Sequence, residues 1–149
     1  MCDFIVYLCQ ELKTNNMKSS MGKNLKAKGN QRTYDLRTLC MNHIYEAKNI
    51  LREVGVQLPR ITIRVTDNSG EGDAIGQAVL LSNCIWISEK ALKSYKANLR
   101  EVVYHEIVHA VTGFAHDDKC PLMSPCINMK PMTKKQADKC LIKYFKLPI

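Results

Sequence analysis

HEIVHAVTGFAHDDKCPLMSP, residues 105–125, is the stretch around which the rest of the chain is organised. It opens with His105 and His109, and a helix places residues four apart on one face, where two imidazoles can bind one metal ion. Glu106 follows the first histidine and can act as a general base at such a centre. The surrounding apolar residues predict a buried helix, in which unpartnered imidazoles and a carboxylate would cost roughly several kcal/mol. A bound metal ion offsets that penalty, so the pattern predicts a metal site.

A third protein ligand is expected a few residues downstream. A catalytic zinc ion usually has three protein ligands and one water molecule. Gly113 is a helix-ending residue that turns the chain back, and the next histidine, His116, then comes within reach of the first two. We predict one zinc ion bound by the two helical histidines and His116, with Asp117 as the alternative third ligand.

This region resembles the metzincin zinc peptidases. The HExxH helix, a glycine, a third histidine and a methionine in a proline-bounded turn follow one another in the order of that family, with Met123 at the position of the methionine beneath the metal. The resemblance implies a zinc endopeptidase in which Glu106 removes a proton from the attacking water and passes it to the leaving amine. One spacing differs, because three residues instead of two separate His109 from Gly113. Either the helix continues for one residue or the turn holds an extra one.

The remaining residues predict an α+β fold, which the resemblance makes zincin-like: a backing helix, a short mixed sheet with an edge strand, the HExxH helix, the methionine turn and a C-terminal helix. Apolar residues at helical spacing or in strict alternation, with capping and turn residues between them, set the boundaries. By the resemblance, the strand at 74–81 is the sheet edge to which a substrate peptide adds. The predicted elements are a helix capped by Thr33 or Asp35 and ending at Gly55, strands at 60–66, 74–81 and 84–88 with a turn at Ser82-Asn83, and helices at 89–99, 99–112 and 134–145, the last capped by Thr133.

Basic residues are concentrated at the two ends of the chain. The net charge of +8 divides into +4 for residues 1–33, −2 for residues 34–118 and +6 for residues 119–149. Residues 1–33 also lack apolar periodicity, so we predict a flexible basic segment there and one metallopeptidase domain at 34–149. The lysines are interpreted as solvated surface charge, and an electrostatic contact with nucleic acid is the alternative.

Seven cysteines, an odd number, are scattered without a Cys-x-x-Cys pair. The apolar run Phe4–Cys9 is too short to span a membrane and lacks the pattern of a signal peptide. We therefore expect an intracellular monomer with reduced thiols and no membrane contact. The cysteines near the site resemble those of archaemetzincins, which carry a second, cysteine-rich zinc site, and Cys120, Cys126 and Cys140 could contribute to one. The paired cysteine spacing of that family is missing, so we interpret them as ordinary buried thiols.

Three functions are compatible with these patterns. The first is a zinc metallopeptidase that cleaves a peptide or protein substrate. The second is a DNA-associated protease of the SprT type, which combines HExxH chemistry with basic segments. The third is a non-catalytic zinc-binding interaction protein. The presence of Glu106 favours an enzyme, because a purely structural metal site has no need of a general base.

Overall fold

The structure is a computed structural model, and it describes residues 30–66, 75–94, 98–117, 119–124 and 130–146. The segment 67–73 between the first two predicted strands, Cys126 and nearly all of the N-terminal segment predicted to be flexible lie outside these residues. The part described contains four α-helices and a three-stranded mixed sheet, which confirms the α+β class. No helix there is both long and apolar enough to cross a membrane.

The first helix, α1, spans Asn30–Glu53. Its predicted caps, Thr33 and Asp35, are wrong, because the helix begins before both of them. Its end is as predicted. The backbone N–H of Gly55 donates to the carbonyl of Arg52, and that of Val56 donates to the carbonyl of Leu51. These two bonds form a Schellman motif that satisfies carbonyls left open at the helix end. The buried stripe of α1 packs against the core and consists of Leu36, Cys40, Ile44, Ala47 and Leu51.

Three strands form the sheet: β1 (Thr62–Thr66), β2 (Gly76–Val79) and β3 (Cys84–Ser88). β3 lies in the centre, parallel to β1 and antiparallel to β2, so β2 is an edge strand of the described sheet, as predicted. The alternation of apolar and polar residues predicted for β1 is confirmed. The apolar face of β1 is buried together with the apolar residues of β3. The buried residues of this face are Ile61, Ile63, Val65, Ile85 and Ile87.

The turn between β2 and β3 is longer than the predicted two residues. Val79 pairs with Cys84, so residues 80–83 form the turn. Leu81 and Asn83 both have positive φ, at 60° and 61°, and the Leu81 side chain is 71% exposed. The apolar pair at 80–81 resembled a strand end in the sequence, but the left-handed backbone of Leu81 ends the strand pairing there.

Three further helices complete the fold: α2 (Glu89–Ser94), α3 (Leu99–Thr112) and α4 (Lys134–Lys146). The bounds of α3 match the prediction, and the unpredicted cap Asn98 accepts the backbone N–H of Glu101 at 3.1 Å. Gly113 ends the helix at φ 77°, and its N–H donates to the carbonyl of His109. The helix therefore continues through the extra residue that distinguishes this chain from the metzincin pattern. α3 packs against α1, α4 and the sheet, so it lies at the centre of the molecule.

The start of α4 is set by a reciprocal cap. The Thr133 hydroxyl accepts the Gln136 N–H at 3.1 Å, and the Gln136 side-chain oxygen accepts the Thr133 N–H at 3.0 Å. Two backbone donors at the helix start are thereby satisfied, which is the capping-box arrangement.

We predict that Thr133→Ala lowers the free energy of unfolding by about 1 kcal/mol, because it removes the capping oxygen while the exposed side chain packs against little else. Urea unfolding measures the change. Thr133→Ser keeps the hydroxyl and serves as the control, with an expected loss below about 0.5 kcal/mol. Equal losses in both variants would contradict a capping role.

Candidate metal centre

The structure brings the three predicted histidine ligands together. The Nε2 atom of His105 lies 3.0 Å from that of His109 and 3.1 Å from that of His116. Two nitrogens bound to one tetrahedral zinc ion, each at about 2.05 Å, are separated by about 3.3 Å. The nitrogens are therefore close to the spacing that one shared ion requires. Among the described residues, this trio is the group of His, Cys, Asp and Glu that can hold a metal ion.

Two backbone carbonyls orient the helical imidazoles. The Nδ1–H of His105 donates to the carbonyl oxygen of Leu122, and the Nδ1–H of His109 donates to that of Phe114, each at 2.6 Å. A donor at Nδ1 leaves Nε2 as the lone-pair nitrogen of a neutral ring. Metal-binding histidines are commonly held in this way by a partner on the second nitrogen. Both lone pairs therefore point towards the centre of the trio.

All three histidines are neutral near pH 7. Burial, followed by the proximity of His109, lowers the pKa of His105 well below 6.5. Burial lowers the pKa of His109 to about 4 and also lowers that of His116. The Nε2 lone pairs of His105 and His109 thus face and repel each other 3.0 Å apart with no proton between them, and the Nε2 of His116 lies 3.1 Å from that of His105. A cation at their centre replaces this repulsion with coordination, so the donor set fits a metal ion.

Glu106 is buried next to the trio and has no hydrogen-bond partner for either carboxyl oxygen. Burial raises its pKa well above 4.5. Buried carboxyl groups normally have partners, so an orphaned one marks a place where a water molecule, an ion or a ligand belongs. Its neighbour on β2 is Gly76, where an added Cβ would lie 3.1 Å from the Glu106 Cγ and 3.2 Å from its Oε2. The absence of a side chain at Gly76 lets the strand approach the carboxyl group.

The predicted methionine turn lies directly beside the site. Residues Pro121–Met123 form a short 3-10 helix, and the Met123 side chain is fully buried. The carbonyl of Leu122 in this turn accepts the His105 hydrogen bond, while the carbonyl of Met123 accepts the backbone N–H of Asp117 at 3.1 Å. The turn therefore fixes both one helical histidine and the loop that carries the third.

Asp117, the alternative third ligand, has other partners. Its Oδ1 accepts the hydroxyl of Tyr144 at 2.6 Å and the backbone N–H of Lys119 at 2.8 Å. It lies outside the histidine group, and its contacts connect the His116 loop to α4. The fourth histidine of the chain, His43, lies on α1 with its Nδ1 2.7 Å from the Oε1 of Glu46.

Three contributors to the site were absent from the sequence prediction. The carbonyls of Leu122 and Phe114 leave no mark in the sequence, because any residue supplies a carbonyl. Gly76 had a usable signal, since a glycine inside a strand pattern often marks a close approach of the backbone. Of the cysteines of the alternative second zinc site, Cys126 lies outside the described residues.

No protein-family model matches this chain, and neither a curated protein nor a solved structure matches it significantly. The chemistry of the site is therefore inferred from its own residues.

We predict that His105→Ala, His109→Ala and His116→Ala each weaken binding of added Zn²⁺ by more than about 100-fold. Removing a direct ligand lowers the zinc affinity more than removing the group that hydrogen-bonds to a ligand and orients it. Competition with a chromophoric chelator gives the affinities. His43→Ala is the matched control and keeps the wild-type affinity, since it lies on α1 with Glu46. Unchanged affinity in the His116→Ala variant would exclude His116 as a ligand.

Proposed function

We propose that this protein is a zinc-dependent metallopeptidase that hydrolyses peptide bonds with Glu106 as its general base. The observation that carries the proposal is the pairing of two features in one place. Three histidine nitrogens converge at spacings of 3.0 and 3.1 Å, and a buried carboxyl group without a partner lies beside them. A structural metal site needs the first feature only, whereas hydrolysis needs both.

The proposed roles follow from the environment of each side chain. A zinc ion held by His105, His109 and His116 would supply Lewis acidity, lowering the pKa of a bound water molecule and polarising the scissile carbonyl. Glu106 accepts the proton of the attacking water and returns it to the leaving amine. Burial raises the pKa of Glu106, and a higher pKa makes its carboxylate a stronger base towards the attacking water.

An extended peptide is the substrate that the neighbouring strand favours. β2 pairs with β3 on one side and is an edge of the described sheet. A peptide that adds to such an edge forms main-chain hydrogen bonds along it. Because Gly76 lies against Glu106, a peptide paired there would place a carbonyl close to the carboxyl group and the histidines. The resemblance to metzincins points to the same arrangement.

A second function has specific support from the burial of the site. Glu106 and His109 are fully buried and His105 is 5% exposed, which is the enclosure typical of a metal that stabilises a fold. On this alternative the chain is a non-catalytic metal-binding protein and the carboxyl group has no proton to transfer. The two functions differ in one observable, which is hydrolysis that depends on Glu106.

We predict that Glu106→Gln retains Zn²⁺ and lowers peptide hydrolysis at least about 100-fold, because the amide cannot accept the proton of the attacking water. Cleavage of a peptide library by the zinc-loaded proteins, measured by mass spectrometry, gives the rates, and metal analysis gives the zinc content. Wild-type protein that holds one zinc ion and cleaves nothing would favour the non-catalytic alternative. A variant as active as wild type would remove Glu106 from the mechanism.

We predict that Gly76→Ala lowers hydrolysis roughly tenfold or more while zinc stays bound. The new methyl group would lie 3.1 Å from both the Trp86 carbonyl oxygen and the Glu106 Cγ, and the Glu106 side chain moves more easily than the paired backbone, so the carboxyl group is displaced. Gly55→Ala is the control for a general effect on stability: Gly55 has φ 84°, with nothing within 4 Å of an added Cβ. It should destabilise the fold by about 1 kcal/mol and leave the rate of the folded protein unchanged. Equal rates in the two variants would contradict the role given to Gly76.

A further inference from the structure

Two cysteine thiols outside the histidine site are in contact. Cys120 precedes the 3-10 turn and is partly exposed, and Cys140 lies on α4 and is 8% exposed. Their side chains are hydrogen-bonded to each other, and the backbone of Leu122 also hydrogen-bonds to Cys140. Twenty positions separate the two residues, so the contact is made by the packing of α4 against the turn.

Solvent reaches the pair through a groove. The groove has a volume of about 850 Å³, and both cysteines line it together with Lys139 and Lys143. Burial and the neighbouring Cys120 thiol raise the pKa of Cys140, while the charge of Lys143 opposes this effect. The partly exposed Cys120 is therefore the thiol that a soluble oxidant reaches first, with Cys140 held behind it as a second thiol.

We propose that Cys120 and Cys140 are a redox-active dithiol that closes to a reversible disulfide when it meets a peroxide. Cys120 sulfur attacks one peroxide oxygen, the O–O bond breaks, and a sulfenic acid and one water molecule form. Cys140 sulfur then attacks the sulfenic sulfur, the S–O bond breaks, and a second water molecule leaves. Two thiols are oxidised and one hydrogen peroxide molecule is reduced to two water molecules. A thiol reductant reverses the reaction by exchange.

The disulfide would join α4 to the turn that orients the metal site. The turn that follows Cys120 contains Leu122, whose carbonyl holds His105. Closing a loop of this length restricts the unfolded chain, so a disulfide that forms without native strain stabilises the fold. The inference is independent of peptidase activity, because neither thiol takes part in the proposed hydrolysis.

The test treats the full-length protein with hydrogen peroxide, blocks the remaining thiols and digests it with trypsin without reduction. Cleavage after the flanking lysines gives one peptide of residues 120–134 and another of residues 140–143, and mass spectrometry should find them linked. The link should persist in Cys126→Ser, which removes the other cysteine of the first peptide, and should vanish in Cys140→Ser. Oxidation should raise the melting temperature of Cys126→Ser by roughly 5–10 °C, reversibly on reduction.

Cys84→Ser is the matched control, because Cys84 is also partly exposed but lies on β3. It should form the same link with the same yield as wild type. Absence of the link in Cys126→Ser, or linkage of Cys120 to Cys126 alone, would overturn the proposal. A melting temperature that falls on oxidation would also overturn it, since it would show that the disulfide strains the native structure instead of stabilising it.

Discussion

Convergence of three neutral imidazole nitrogens in a buried place is the constraint on which the rest of this structure depends. The lone pairs of His105 and His109, whose Nε2 atoms are 3.0 Å apart, repel each other, and burial disfavours the protonation that would relieve this repulsion. The arrangement is held by short hydrogen bonds that the Nδ1–H groups of both helical rings donate to backbone carbonyls. A metal ion at the centre would turn an unfavourable arrangement into a favourable one, so the local fold can hold an ion.

The elements around the histidines serve this arrangement. α3 crosses the middle of the molecule and carries two of the three nitrogens. Gly113 ends it in a left-handed conformation, and the carbonyl of the next residue holds His109. The chain then returns so that the 3-10 turn supports His105, while Asp117 connects the loop to Tyr144 on α4. Each of the described segments at 99–117, 119–124 and 130–146 thus contacts the site or supports a segment that does.

Much of this could be predicted from the sequence, because the signals were local. The bounds of α3, the caps Gly113 and Thr133, the alternation of β1 and the three histidines all follow from the periodicity and the turn chemistry of short stretches. The prediction was wrong at positions where the type of residue suggested one backbone conformation and the chain adopts another. Leu81 looked like a strand residue and adopts a turn, and the start of α1 lies before both residues that resembled a cap. Backbone carbonyl partners and the contact between Cys120 and Cys140 depend on tertiary packing, which no local pattern records.

X-ray absorption at the zinc edge of the protein loaded with one equivalent of Zn²⁺ tests the central claim most directly, because it reads the atoms bound to the ion. Coordination by His105, His109 and His116 predicts three imidazole nitrogens at about 2.0–2.1 Å and no sulfur in the first shell. Sulfur scatterers at about 2.3 Å would place the ion on the cysteines. That result, or a chain that holds no zinc at all, would contradict the account.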